Sequence, residues 1–100
     1  AVMNMTDMMA QISVSPTATE RTESSFAILD VAGMNYADAR YEADNEAFPH
    51  RVIVGSETYP PHIAHNWDLV TRNAHVIGDF TWTGWDYLGE VGIGGVKYAD

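Results

Sequence analysis

The sequence predicts an α/β fold in which three parallel strands alternate with helices, as a slice of a larger sheet. Two observations carry that prediction. Helical and strand patterns follow one another in the order α-β-α-β-α-β, which argues for parallel strands joined by helical crossovers. The strand segments are also near-continuous apolar runs rather than alternating ones, as expected for strands covered on both faces. A third observation bounds the result. Three strands do not close a barrel, and left open they would expose two sheet edges.

Each element has its own signal. Val2, Met5, Met9 and Ile12 fall at helical spacing, which predicts an amphipathic helix over 2–12. Its methionines (Met3, Met5, Met8, Met9) read as adaptable core filler. Residues 13–25, SVSPTATERTESS, read as an exposed connection rich in Ser, Thr and Glu. FAILDVAGMNY predicts a buried strand from Phe26 to Ala32, closing on Gly33. ADARYEADNEAF, 37–48, is helical in composition and is stopped by Pro49. RVIVGSE predicts the second strand. Proline then opens a helix that sets Ile63, Trp67, Val70 and Ala74 on one face. VIGDFTW, 76–82, predicts the third strand, and the glycine-rich GEVGIGGVKYAD reads as loop.

Composition narrows the function classes. With 46% hydrophobic and 19% charged residues, the 100-residue chain has the make-up of a soluble globular domain. No apolar run nears the roughly 20 residues needed to span a bilayer, so no membrane role is expected. A net charge of −9 disfavours nucleic acid and anionic lipid as partners. Cysteine is absent, which removes thiol nucleophiles and thiolate metal sites. The chain starts at Ala1 already in helical pattern and shows no signal-type segment, so it reads as a piece of something longer. The compartment is left open, the cytoplasm being compatible.

In parallel α/β architectures, ligands meet the carboxyl ends of the strands. Here those ends carry Asn35 and Tyr36, then Ser56 and Glu57, then Trp82 followed by Trp85, Asp86 and Tyr87. A carboxylate, a phenol and indoles on one rim suit a sugar: aromatic faces stack on its C–H face, and carboxylates accept from its hydroxyls. Rim aromatics are also common as plain packing, so this pattern alone is weak.

The stretches LDVAGMNYADARYE, FPHRVIVGSETYP and HVIGDFTWTGWDYLGE resemble the C-terminal part of the catalytic barrel of glycoside hydrolase family 2, the β-galactosidase and β-glucuronidase group. The resemblance runs from about Phe26 to Gly94 in the same order and spacing. It implies a partial TIM (β/α)8 barrel, the three strands being the sixth, seventh and eighth, so that 1–100 forms a single fragment of that barrel. It implies a retaining β-glycosidase, β-galactosidase-like, acting on a β-linked carbohydrate with no cofactor. Glu57 then matches the nucleophile, and Tyr36 the tyrosine that orients it. Trp82 matches an aromatic residue of the sugar subsite, with Asn35, Trp85 and Asp86 as further substrate-binding candidates. A second carboxyl group, about 5–5.5 Å away, is needed to protonate the leaving oxygen.

That second group is not expected within this chain. Asn45-Glu46 matches the dipeptide of the family's acid/base, but it falls mid-helix between two strands and reads as solvated. His62 and His65, three apart on a helix, read as a helix-face pair because no third ligand accompanies them. His50 and His75 fall at strand entrances. Gly92, Gly94 and Gly95 do not lie between a strand and a helix, as a phosphate loop requires.

The sequence therefore predicts a segment that carries the nucleophile, lacks the acid/base and is inactive alone, its partner being the remainder of the barrel. Two other classes stay open. One is a non-catalytic module that forms a homo-oligomer through its exposed sheet edges. The other is a carbohydrate-binding surface without hydrolysis.

Overall fold

A computed structural model describes residues 4–83. Two helices, α1 (Met5–Ser13) and α2 (Pro16–Ala27), precede strand β1 (Ala32–Asn35). A 3-10 turn (Asp38–Arg40) leads into α3 (Tyr41–Ala47), followed by β2 (Ile53–Thr58). A second 3-10 turn (Pro60–His62) leads into α4 (Ile63–Arg72), and β3 (Val76–Thr81) follows. The three strands form one parallel sheet in the order β1-β2-β3. The architecture is α/β, and its alternation of strand and helix is compatible with a piece of a barrel.

One face of the sheet is covered and forms the core. Ala32, Met34, Ile53 and Val76 point into it and meet Ala37, Tyr41 and Leu69 from the connecting segments, with Phe26 and Val70 packed alongside. Ile53 and Tyr41 are fully buried. Burying a side chain such as Ile53 contributes about 1.5–3 kcal/mol. The other face is open among the described residues: Gly33, Asn35 and Ser56 are exposed, and so are Ile77 and Phe80. The expected coverage on both faces is therefore present on one.

The segment 13–25 is not a connection. Ser15 accepts from the Ala18 N–H, Pro16 occupies the first turn, and the chain is helical to Ala27. Serine followed by proline is a helix start as well as a loop signal, and Thr19 and Thr22 bond back to carbonyls one turn earlier. The first strand is correspondingly late. Phe26 lies in the last turn of a helix instead of starting a strand, and pairing begins at Ala32.

Two expected core faces also differ. No residue of α1 is buried, and Met5, Met8, Met9 and Ile12 are all exposed, so these methionines do not fill the core. On α4 the buried residues are Asn66 and Leu69, whereas Ile63 and Trp67 are exposed and the helix ends before Ala74. Each helical residue turns the face by about 100°. The buried stripe thus lies one position before the apolar one and shares only its edge at Val70.

Candidate active site

The site is built around an irregularity in β2. Met34 of β1 lies level with Gly55, but the next residue, Asn35, lies level with Glu57. On the other side Gly55 is level with Asp79, and Thr58 with Thr81. Between Gly55 and Thr58, β2 thus carries one more residue than either neighbour, which is a β-bulge at Ser56-Glu57. In a regular strand Gly55 and Glu57 would share a face. Here Gly55 and Thr58 both face the helices and are buried, Ser56 is exposed, and Glu57 is half-buried. The bulge removes Glu57 from the helix-covered layer. That is how an apolar strand ends in a carboxylate without burying it in the core.

Both neighbouring strands hold the bulge. The Tyr36 N–H donates to the Glu57 carbonyl at 2.8 Å, and the Trp82 N–H donates to the Thr58 carbonyl at 3.0 Å. The Ser56 hydroxyl donates to Asn35 Oδ1 at 2.9 Å. The Thr58 hydroxyl donates to Asp79 Oδ2 at 2.9 Å. Asn35, Tyr36, Glu57 and Trp82 therefore all lie at the exit end of one sheet. Trp82 is half-exposed, and its peptide bond to Thr83 is cis. Trp85 and Asp86, with Tyr87, lie outside the described residues.

Tyr36 has a left-handed backbone, φ 53°, uncommon for a bulky residue and a cost of about 1–2 kcal/mol. It lets the chain turn sharply at the end of β1 while the Tyr36 N–H still reaches β2. Its ring packs on Tyr59, centroids 4.5 Å apart, and Tyr59 meets the His62 ring edge-on at 5.4 Å. His62 Nδ1 and His65 Nε2 lie 3.5 and 3.8 Å from the same Asp38 oxygen. The histidine pair thus shares a carboxylate at the rim, a contact the spacing alone did not reveal. Among the described residues no group of three or more His, Cys, Asp or Glu side chains is arranged to hold a metal.

Beneath the bulge, Tyr41 Oη and Asp79 Oδ1 are buried with no hydrogen-bond partner among the described residues. Burial, then the nearby Asp79 and Asp38 carboxylates, push the Tyr41 phenol well above its ordinary pKa. Both oxygens close on Gly55. A Cβ there would stand 2.9 Å from Asp79 Oδ1 and would overlap Tyr41 Oη.

Glu46 is exposed on α3, as expected for a solvated helix residue. Sequence reasoning placed Ser56 at the strand end without a role and missed Thr58 and Asp79. Their one available signal was Gly55, since a glycine inside a strand marks a bulge or a close approach. A cavity of about 380 Å3 lined by Phe26, Leu29, Phe48, His50 and Arg51 lies at the entrance end of β2, away from these residues.

No family model matches the chain, and no curated protein matches it. Among solved structures it is similar to a glycosyl hydrolase family 2 member from Bacteroides cellulosilyticus, with 38% sequence identity and a TM-score of 0.60. The match covers 71% of this chain and 9% of that one. The chain thus spans about a tenth of the length of the solved structure it resembles.

Proposed function

We propose that the chain is a segment of a retaining β-glycosidase, and that Glu57 is its nucleophile. The observation that carries this reading is the bulge, which takes one carboxylate out of an apolar strand and sets it beside Asn35, Tyr36 and Trp82. The similarity to a family 2 glycosyl hydrolase supports the same reading.

In the reaction so proposed, the Glu57 carboxylate attacks the anomeric carbon of a β-linked sugar, and the bond to the leaving oxygen breaks. A carboxylic acid from outside this chain protonates that oxygen, then takes a proton from the water that hydrolyses the glycosyl-enzyme. Tyr36 orients the attacking carboxylate. Trp82 offers its exposed face to the sugar ring. Asn35 accepts from Ser56 through Oδ1, which leaves its amide N–H groups to donate to a sugar hydroxyl. Trp85 and Asp86 complete the proposed subsite. The preference for galactosides belongs to this proposal, as does inactivity of the isolated segment.

The test is a mechanism-based label. The complete enzyme, treated with an activated 2-fluoro-glycoside and digested, should carry the sugar on the peptide containing Glu57, and Glu57→Gln should abolish labelling. A label on another carboxylate would remove the assignment. The open sheet face with Ile77 and Phe80 favours a second reading for the segment alone, self-association through that face. Sedimentation equilibrium decides it, since a monomer at all concentrations rules it out.

A further inference from the structure

We propose that Asp79 is a positioning residue for Glu57 and acts through Thr58. The inference rests on Glu57 being the nucleophile and adds what keeps it aimed. A bulge interrupts the regular ladder, so something other than ladder pairing must prevent residues 56–58 from sliding into ordinary register. Of the side-chain bonds that hold it, the one from Ser56 to Asn35 is exposed to water. The other is better shielded: Thr58 is fully buried, and its hydroxyl donates to the half-buried Asp79 at 2.9 Å.

Asp79 is an expensive choice for that place. Its Oδ1 is buried with no partner among the described residues, and a carboxylate oxygen desolvated in this way costs more than an apolar atom in the same place would. The surroundings nonetheless accommodate it. Gly55, level with Asp79, has no side chain, and any Cβ there would collide with Tyr41 and crowd Asp79 and Thr58. The geometry admits Thr58 to the helix-facing layer at three residues from Gly55, where a regular strand would turn it outward. Slipping by one residue would return Thr58 to the open face and take Glu57 toward the core. The Thr58–Asp79 bond opposes that slip, and it does so without touching the sugar.

The experiment uses the complete enzyme and the variants Thr58→Val, Thr58→Ser, Asp79→Ala and the Thr58→Val/Asp79→Ala double. Thr58→Val keeps shape and loses the hydroxyl, and Thr58→Ser keeps the hydroxyl. Each disabling single change should lower kcat by about 10²-fold, the scale of a small misplacement of a reacting group, with KM little altered. The double variant should be no worse than the singles, because both remove one bond. Thr58→Ser should recover most of the turnover. In the disabled variants the fluoro-sugar should still label Glu57, more slowly, and circular dichroism should show them folded. If Thr58→Ser is as impaired as Thr58→Val, or the two losses multiply, the bond is not what positions Glu57. A normal kcat in folded Thr58→Val overturns the inference while leaving Glu57 as nucleophile. A label on another residue overturns both.

Discussion

At the entrance end of β2, one Asp44 carboxylate accepts from Arg40 at 3.0 Å and from Arg51 at 2.9 Å, and all three side chains are buried. Arg51 lies 3.9 Å over the Phe48 ring and 5.0 Å from that of Phe26, and Arg40 also bonds Thr22 of α2. At the exit end of the same strand, Tyr41 Oη and Asp79 Oδ1 are buried with no hydrogen-bond partner among the described residues. The strand also bulges there, and Tyr36 takes a left-handed backbone. One end satisfies its charges and clamps α2 and α3 to the sheet. The other keeps unsatisfied polar groups and irregular backbone where the candidate carboxylate stands. Strain and unpaired polar groups persist only where the rest of the structure over-determines them, and the entrance knot is what supplies that surplus here.

The sharpest way to break this contrast is to remove Asp44. Asp44→Ala leaves two buried guanidinium groups without their shared carboxylate, and breaking a buried pair in this way costs about 3–5 kcal/mol. Urea unfolding of the chain should show it as a lower midpoint with the slope retained. A loss under about 1 kcal/mol, the level of an exposed pair, would mean the knot does not carry the stability assigned to it.

Gly55→Ala attacks the other end. The added methyl meets Tyr41 and stands 2.9 Å from both Asp79 and Thr58, and such overpacking costs about 1–3 kcal/mol. Tyr41→Phe in the same chain removes the atom that is struck first, so the double variant should recover part of the loss. Strict additivity of the two changes would show that Tyr41 does not close on Gly55.

How far these features could be read from the sequence depends on what determines them. The strand order, the exit-end cluster of Asn35, Tyr36, Glu57 and Trp82, and the solvated Glu46 were legible, since each follows from local pattern plus parallel topology. The helix at Pro16–Ala27 was signalled by Ser15-Pro16 but hidden by a composition that also suits loops. The bulge was not legible beyond Gly55, because register belongs to pairs of strands and a single strand does not carry it. The buried face of α4 was missed because the apolar stripe Ile63–Trp67 points to water and Asn66 is buried in its place. The entrance knot joins residues from Thr22 to Arg51, which only tertiary structure brings together.

Tyr41 gives a smaller effect with a definite sign. Its hydroxyl is buried without a partner among the described residues, so Tyr41→Phe should change stability at neutral pH by less than about 1 kcal/mol, with a gain allowed. The raised phenol favours the neutral form in the folded chain more than in the unfolded one. The unfolded phenol loses its proton near the ordinary value of 10.0. Stability from this group is therefore complete below about pH 10 and declines as pH rises beyond it, because unfolding then releases a proton. Tyr41→Phe should flatten that alkaline decline in denaturant titrations. An unchanged decline would place the phenol in water, not beneath the bulge.

The smallest effect belongs to a contact that belongs to neither end. Arg72 bonds Asp68 at 2.7 Å and Glu42 at 3.3 Å, a three-residue arrangement that looks as well made as the Asp44 knot. All three side chains are more than half exposed, so water and salt screen them. Arg72→Met should shift stability by no more than about 0.5 kcal/mol, and the shift should vanish in high salt. Paired with Asp44→Ala under the same conditions, it separates geometry from burial. If Arg72→Met costs as much as Asp44→Ala, then hydrogen-bond distance sets the strength of these networks, and the contrast between the two ends of β2 loses its physical basis.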